Sequence, residues 1–264
     1  MSILESIVLG IVQGLTEFIP VSSSGHLVLL HNVFGFSEPS LFFDTMLHLG
    51  TLIAVVAVLW RNILDIFKKP FPTLLYLIIA TIPAIVVTLL FKDTIMFVYT
   101  GVFLGYGFLL TAIFLVSAEL LSKRLGKKRN VNAGISLAMG TMQALAIFPA
   151  VSRSGSTIAG GLVCGVGRRE AATFSFLMSI PAILGSVAVQ GYELFKGTAV
   201  TTDLLPTIIG TVCAAVSGFF AVKFMIALIS RKKLYGFAIY VTILGILVLL
   251  DQNVFGLVNW VIIN

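Results

Sequence analysis

Gln13–Gly14–Leu15–Thr16–Glu17–Phe18–Ile19–Pro20–Val21–Ser22–Ser23–Ser24–Gly25–His26 is the stretch whose reading decides the fold of this chain. It sets a carboxylate, three hydroxyls and an imidazole into an otherwise apolar run. At membrane depth an ionisable group costs about 2.5–3.5 kcal/mol or more, so such groups persist where they are used. A second stretch echoes the first 130 residues later, running from Gln143 to Pro149 and on through Ala150–Val151–Ser152–Arg153–Ser154–Gly155–Ser156–Thr157. The offset holds for Gly10/Gly140, Gln13/Gln143, Leu15/Leu145, Val21/Val151, Ser22/Ser152, Ser24/Ser154 and Gly25/Gly155. One copy keeps Glu17 and His26, the other Arg153, which is the pattern of a divided active site.

The surrounding chain is a membrane protein by composition. Of its 264 residues 58% are hydrophobic and 11% charged, and the mean hydropathy is +1.09. Soluble domains carry about 25% charged residues, so a large soluble core is excluded. The net charge of +6 does not indicate nucleic acid, because the basic residues fall between apolar spans. Cys164 and Cys213 have neither metal nor CxxC spacing and are expected to pack in the interior. A cleaved signal peptide is not expected, since no basic segment precedes the first apolar run and Gln13 and Glu17 interrupt it.

The expected fold is an all-α integral membrane protein with about six transmembrane helices and two re-entrant helix hairpins. Residues 1–30 are too interrupted for a clean span and read as helix, polar turn, helix, with the irregular backbone shielded by protein. Residues 31–43, including His31, read as loop. The first full span has its core at Met46–Trp60, and further spans follow at Pro72–Phe91 and Met96–Leu121, the last long enough to tilt. Residues 132–149 and 156–167 form the second interrupted hairpin. Ala171–Val189, Leu205–Ile229 and Leu234–Leu250 complete the spans, and the tail 252–264 reads as interfacial.

Loops 61–71, 122–131, 168–170 and 230–233 hold 13 Lys and Arg, against one each near 92 and 196. Positive charge marks the cytoplasmic side. The groups alternate sides consistently if the 122–131 loop is cytoplasmic, the first hairpin enters from outside and the second from the cytoplasm. Each half (about 1–121 and 132–250) then holds one hairpin and three spans, an odd number, and the halves insert upside down relative to each other. Opposite orientation with weak similarity is the signature of an inverted-topology repeat, which brings the two turns together in the membrane interior. Phe43–Asp44–Thr45–Met46–Leu47 against Phe174–Ser175–Phe176–Leu177–Met178 is a second weak match.

The residue types of the two turns suit an anion such as phosphate. Ser152–Thr157 puts hydroxyls, a guanidinium and a glycine at a helix start, where exposed N–H groups favour an anion and Arg matches phosphate oxygens. The alternative is an inert structural pair of Arg153 with Glu17. Ser22, Ser23 and Ser24 offer a nucleophile, and His26 lies three residues past Ser23. Glu17 could orient His26, deprotonate a hydroxyl or hold a cation. Gln13, four residues earlier, shares its helix face, and the pair suits an oxygen-liganded metal such as Mg²⁺ or Ca²⁺. Ordinary N-capping is the competing role for Ser22 and Ser24. His48 reads as packing or hydrogen bonding, and Glu119, Glu170 and Lys223 as helix-end residues.

These residues resemble the undecaprenyl-diphosphate phosphatases of bacteria, a family also known for bacitracin resistance. Its first motif, Glu or Gln, three residues, then Glu running into F-x-P-V-S-S-[ST]-G-H, stands here complete from Gln13 to His26. Its second, P-G-x-S-R-S-G-x-T, stands as Pro149–Thr157 with Ala150 where the family usually has Gly. If that position needs positive φ, Ala costs something there.

The resemblance implies hydrolysis of undecaprenyl diphosphate to the monophosphate and phosphate, on the outer or periplasmic side of a multi-pass protein of the cell membrane. It implies Ser23 as nucleophile candidate, Arg153 as phosphate clamp and Glu17 as activating or metal-binding carboxylate. His26 becomes base, acid or itself the nucleophile. Ser22, Ser24, Ser152, Ser154 and Thr157 would hold phosphate oxygens, and Gln13 with Glu17 a divalent cation. The resemblance also implies that bacitracin competes for the lipid substrate rather than binding the protein, and it leaves a homodimer open. The rival class is a lipid-phosphate flippase or anion carrier, which would want Arg153 but not Ser23, His26 and Glu17 together.

Overall fold

The computed structural model describes residues 1–36, 41–91, 103–123, 129–196, 203–231, 233–258 and 260. Ten α-helices account for the regular structure among them: α1 (Ile3–Phe18), α2 (Ser23–Phe34), α3 (Leu41–Ile66), α4 (Pro72–Leu90), α5 (Leu104–Ser122), α6 (Ala133–Leu145), α7 (Arg153–Val163), α8 (Arg168–Phe195), α9 (Leu204–Arg231) and α10 (Tyr235–Leu250). A π-helical turn, Asp251–Phe255, extends α10. Six of these helices are long and apolar enough to cross a membrane: α3, α4, α5, α8, α9, and α10 with its extension. The other four hold 16, 12, 13 and 11 residues. At about 1.5 Å per residue they reach only about 17–24 Å, less than the roughly 30 Å hydrocarbon core.

Local chemistry sets the helix ends. Ser2 and Glu5 form a capping box at α1: Ser2 N donates to Glu5 Oε2 at 2.7 Å and Glu5 N to Ser2 Oγ at 3.2 Å. Asn132 caps α6 by accepting from Ile135 N at 3.0 Å. Gly35, in the left-handed region at φ 62°, stops α2. That stop corrects the expected loop at 31–43: the helix runs on to Phe34, so His31 is helical and buried, and α3 already begins at Leu41. Polar His31 and Asn32 imitate a loop, but Asn32 turns its amide onto the Val28 carbonyl, 2.8 Å away, and the helix continues. α8 and α9 likewise outrun their expected spans at both ends. The expected start of the third span at Met96 lies outside the described residues.

α9 shows how sequence becomes packing. Ile208, Val212, Val216, Phe220 and Phe224, spaced by four, are exposed and form a lipid-facing stripe. Gly210, Ala214 and Gly218 form the opposite, buried stripe, where small residues let helices close on one another. A Cβ on Gly10 of α1 would lie 2.3 Å from the Gly210 carbonyl oxygen, and one on Gly14 2.5 Å from that of Ala214. α1 is thus held backbone to backbone against α9. α6 meets α4 in the same way, since a Cβ on Gly140 would stand 2.3 Å from the Ala80 carbonyl oxygen. Phe18 and Phe176 pack edge to face at 5.2 Å in the main core. Cys164 and Cys213 are only half-buried, which corrects the expected interior placement, and both are free thiols.

Candidate active site

α1 ends at Phe18 and α2 starts at Ser23, so Ile19–Ser22 is the break between them. Glu17 stands in the last turn of α1, only 7% exposed, and is the hub of the site. Gln13, one turn earlier, donates from Nε2 to Glu17 Oε2 at 3.0 Å. Ser23 Oγ donates to the same oxygen at 2.5 Å. The other oxygen, Oε1, takes Nη2 of Arg153 at 2.5 Å across a separation of 136 residues. His48 Nε2 stands 3.6 Å from Oε2. The carboxylate thus meets a guanidinium on one side and a hydroxyl on the other.

The second turn, Ala146–Ser152, lies between α6 and α7. Ser152 caps α7 by accepting from Gly155 N at 3.0 Å, and its hydroxyl lies 3.2 Å from that of Ser154. The first turn repeats this: Ser22 Oγ accepts from Gly25 N at 3.3 Å and lies 3.3 Å from Ser24 Oγ. The turns touch, for Ser154 Oγ donates to the Ile19 carbonyl at 3.3 Å and a Cβ on Gly155 would lie 3.3 Å from Cβ of Pro20. Thr157 is fully buried; its hydroxyl contacts Ser175 Oγ at 2.6 Å and donates to the Arg153 carbonyl at 2.8 Å. Arg153 Nη1 leans on the Ser175 carbonyl at 3.5 Å.

Each of the two turns holds one strained backbone position. Ser22 sits at φ 71°, ψ 102° and Ala150 at φ 59°, where L-residues are rarely found. Ala150 therefore occupies a position that does call for positive φ, and it does so fully buried. Its carbonyl accepts from Thr111 Oγ1 at 3.2 Å, and Thr111 Oγ1 takes Ser152 N at 2.9 Å, which holds the turn to α5.

His26 is not where the spacing suggested. Ser23, the first residue of α2, faces back to α1, whereas His26 faces α5 and α10. Its Nδ1 is 2.6 Å from the Ser22 carbonyl oxygen and its Nε2 2.7 Å from the Tyr240 hydroxyl. Phe108 meets the ring edge to face at 5.7 Å. Glu17 therefore does not orient His26. Thr111, Ser175 and Tyr240 were not anticipated, and His48 was placed outside the site. The match of Phe43–Asp44 to Phe174–Ser175 was the available signal for Ser175 and for this end of α3; Thr111 and Tyr240 carry no local signature.

A divalent cation fits the donors present. Gln13 Oε1 is buried without a hydrogen-bond partner among the described residues, beside the Glu17 carboxylate, and both are hard oxygen donors. Among the described residues no three His, Cys, Asp or Glu gather as a cage. Such an ion would bring positive charge to a bound phosphate.

Fold and site together define a polytopic membrane protein with a buried carboxylate–arginine–serine centre between two serine-rich turns. The chain belongs to the BacA family: the family described as "Bacitracin resistance protein BacA" matches residues 6–247. It is 44% identical to "Undecaprenyl-diphosphatase 3" of Bacillus cereus over 96% of this chain and 98% of the relative. It is 45% identical to an "Undecaprenyl-diphosphatase" of Carboxydothermus hydrogenoformans with the same coverage. A protein of that name from Methanosphaera stadtmanae is 38% identical over 95% of this chain and 98% of its own.

Proposed function

We propose that this protein hydrolyses undecaprenyl diphosphate to undecaprenyl monophosphate and inorganic phosphate, returning the lipid carrier to cell-wall synthesis. The observation that carries the reading is the shared carboxylate: Ser23 Oγ and Arg153 Nη2 each lie 2.5 Å from opposite oxygens of Glu17. A hydroxyl next to a carboxylate is a nucleophile beside its base, and a guanidinium on the other oxygen of that carboxylate is where a phosphate would be clamped. The names of relatives covering nearly the whole chain point to the same substrate.

In this mechanism Ser23 Oγ attacks the terminal phosphorus and gives its proton to Glu17. The bond from that phosphorus to the bridging oxygen breaks, and undecaprenyl monophosphate leaves. Glu17 passes that proton to the departing oxygen; the freed carboxylate then takes a proton from water as the water attacks the phosphoserine and returns it to Ser23 Oγ, so that phosphate leaves and Ser23 is restored. Arg153 holds the non-bridging oxygens as charge moves onto them. Ser22, Ser24, Ser152, Ser154 and Thr157, with the first amides of α2 and α7, supply further donors or hold those donors in place. A divalent cation held by Gln13 and Glu17 would neutralise diphosphate charge. The prenyl chain stays in lipid beside the site, and bacitracin competes by sequestering that lipid substrate.

The architecture proposed with it is an inverted repeat of halves 1–121 and 132–250, in which α1–α2 and α6–α7 are re-entrant hairpins. Their lengths support this, as do two equivalent contacts: Gly10 meets Gly210, and Gly140 meets Ala80, each residue shifted by 130 and the halves exchanged. The 13 Lys and Arg of the four basic loops support a cytoplasmic 122–131 loop and a mouth on the outer side.

The test is phosphate release from undecaprenyl diphosphate by the purified protein in detergent, with and without EDTA. Metal-dependent release by wild type, lost in Glu17→Ala and Arg153→Ala, is the expected result. No release with any divalent cation, from folded protein that binds the lipid, would refute the phosphatase reading in favour of a carrier.

A further inference from the structure

The break between α1 and α2 contains a residue that needs help to stay where it is. Ser22 sits at φ 71°, ψ 102°, and the next residue is Ser23, whose hydroxyl must meet Glu17. Holding a non-glycine residue there takes surrounding contacts that over-determine it. The Ser22 carbonyl receives two: His26 N at 3.3 Å and His26 Nδ1 at 2.6 Å.

A carbonyl oxygen only accepts, so the proton of the pair is on His26 Nδ1. In the neutral ring Nε2 is then an acceptor, and it faces the Tyr240 hydroxyl at 2.7 Å. The Tyr240 ring lies almost parallel to the imidazole, at 15° and 5.7 Å between centroids, and Phe108 closes the other side edge to face. Both ring nitrogens are engaged, and neither contacts Ser23.

We infer that His26 and Tyr240 are positioning residues, with Tyr240 fixing the tautomer in which His26 Nδ1–H clamps the Ser22 carbonyl and so aims Ser23 Oγ at Glu17. The clamp crosses the molecule, since Tyr240 belongs to α10 and lies 214 residues from His26. It gives the last helix a part in the reaction without contact to the reacting atoms. The inference rests on the phosphatase reading for its assay and on geometry for its content.

Asparagine and glutamine separate this role from acid–base or nucleophilic work. Asn places an N–H donor, one bond from Cγ, where His has Nδ1–H, whereas Gln places one near Nε2. Neither can act as base or nucleophile. We expect His26→Ala and His26→Gln to lower kcat about a hundredfold with KM little changed, the scale of a misplacement of about 1 Å. His26→Asn should restore kcat to within about tenfold of wild type, one hydrogen bond being worth about 1 kcal/mol. Tyr240→Phe, which keeps the stacked ring, should lower kcat about fivefold on the same scale.

All variants are compared as monodisperse protein in detergent with wild type alongside. Inactive wild type would count against the phosphatase reading alone. With active wild type, folded His26→Asn as inactive as His26→Ala would overturn the clamp and return His26 to direct chemistry. Wild-type kcat in Tyr240→Phe would overturn the assignment of Tyr240.

Discussion

Arg153→Met removes one member of a pair whose side chains are 17% and 6% exposed and whose charged atoms lie 2.5 Å apart. Breaking a buried pair from one side costs about 3–5 kcal/mol, because the remaining charge loses its compensation. Here Glu17 would keep Gln13 at 3.0 Å and Ser23 at 2.5 Å, with His48 at 3.6 Å. Those donors place the expected loss at the lower end, about 3 kcal/mol, or about 6–12 °C in thermal midpoint at about 2–4 °C per kcal/mol. Adding Glu17→Gln removes the stranded charge, and an amide can accept from Ser23 as the carboxylate did. The double variant should therefore recover most of the midpoint while releasing no phosphate. The assay is thermal unfolding of single and double variants in one detergent, with phosphate release measured in parallel. A single variant melting within about 2 °C of wild type, or a double variant no more stable than the single, would refute the claim that Arg153 compensates a buried charge.

Three further outcomes follow from the same structure. Ser23→Ala should lower phosphate release about a thousandfold or more while retaining lipid binding, read by single-turnover release and a lipid-binding titration, because it removes the nucleophile and leaves Arg153 in place. Ala150→Gly should change stability by less than about 1 kcal/mol in chemical denaturation, as relief at φ 59° offsets the loss of a fully buried methyl; Ala150→Val should cost more than about 2 kcal/mol there, since its added carbons enter the contacts with Gly25 and Gly107. Gln13→Glu should lower the divalent-cation concentration needed for half-maximal release, because a charged oxygen replaces the unpartnered amide oxygen; an unchanged requirement would remove Gln13 from the cation site.

What the sequence made legible was local. Gln13 and Glu17, four residues apart, had to share a face, and they do, at 3.0 Å. Three of the six long helices, α4, α9 and α10, follow the apolar runs to within two residues at each end, and the two breaks fall where Pro20 and Pro149 precede a serine-rich turn. The question raised by Ala150 could also be put from sequence, because glycine is the residue that needs no reason to sit at positive φ. Errors arose where one residue decided between continuing and stopping: His31 and Asn32 look like loop, and Gly35 is what ends the helix. Distance along the chain hid the rest. Nothing near Tyr240 or Thr111 says that their hydroxyls serve turns reached 214 and 39 residues away. Nor does Glu119, at the end of α5, announce its bonds to Arg168 at 2.6 Å and to Leu234 N at 2.8 Å.

The close seat of Gly10 on Gly210 also constrains how the molecule is made. α1 must wait for a partner synthesised 200 residues later: Glu17 stays without Arg153 for the next 136 residues, and α1 without the small-residue stripe of α9 for longer still. α4 waits for α6 in the same way, over 60 residues from Ala80 to Gly140. The polar centre thus closes late, and a chain truncated before α7 would leave a carboxylate without its guanidinium in the bilayer. Quality control in the membrane would have that exposed charge to recognise, and point changes at Gly10 or Gly210 would lower the amount of protein before they lowered the activity of each molecule.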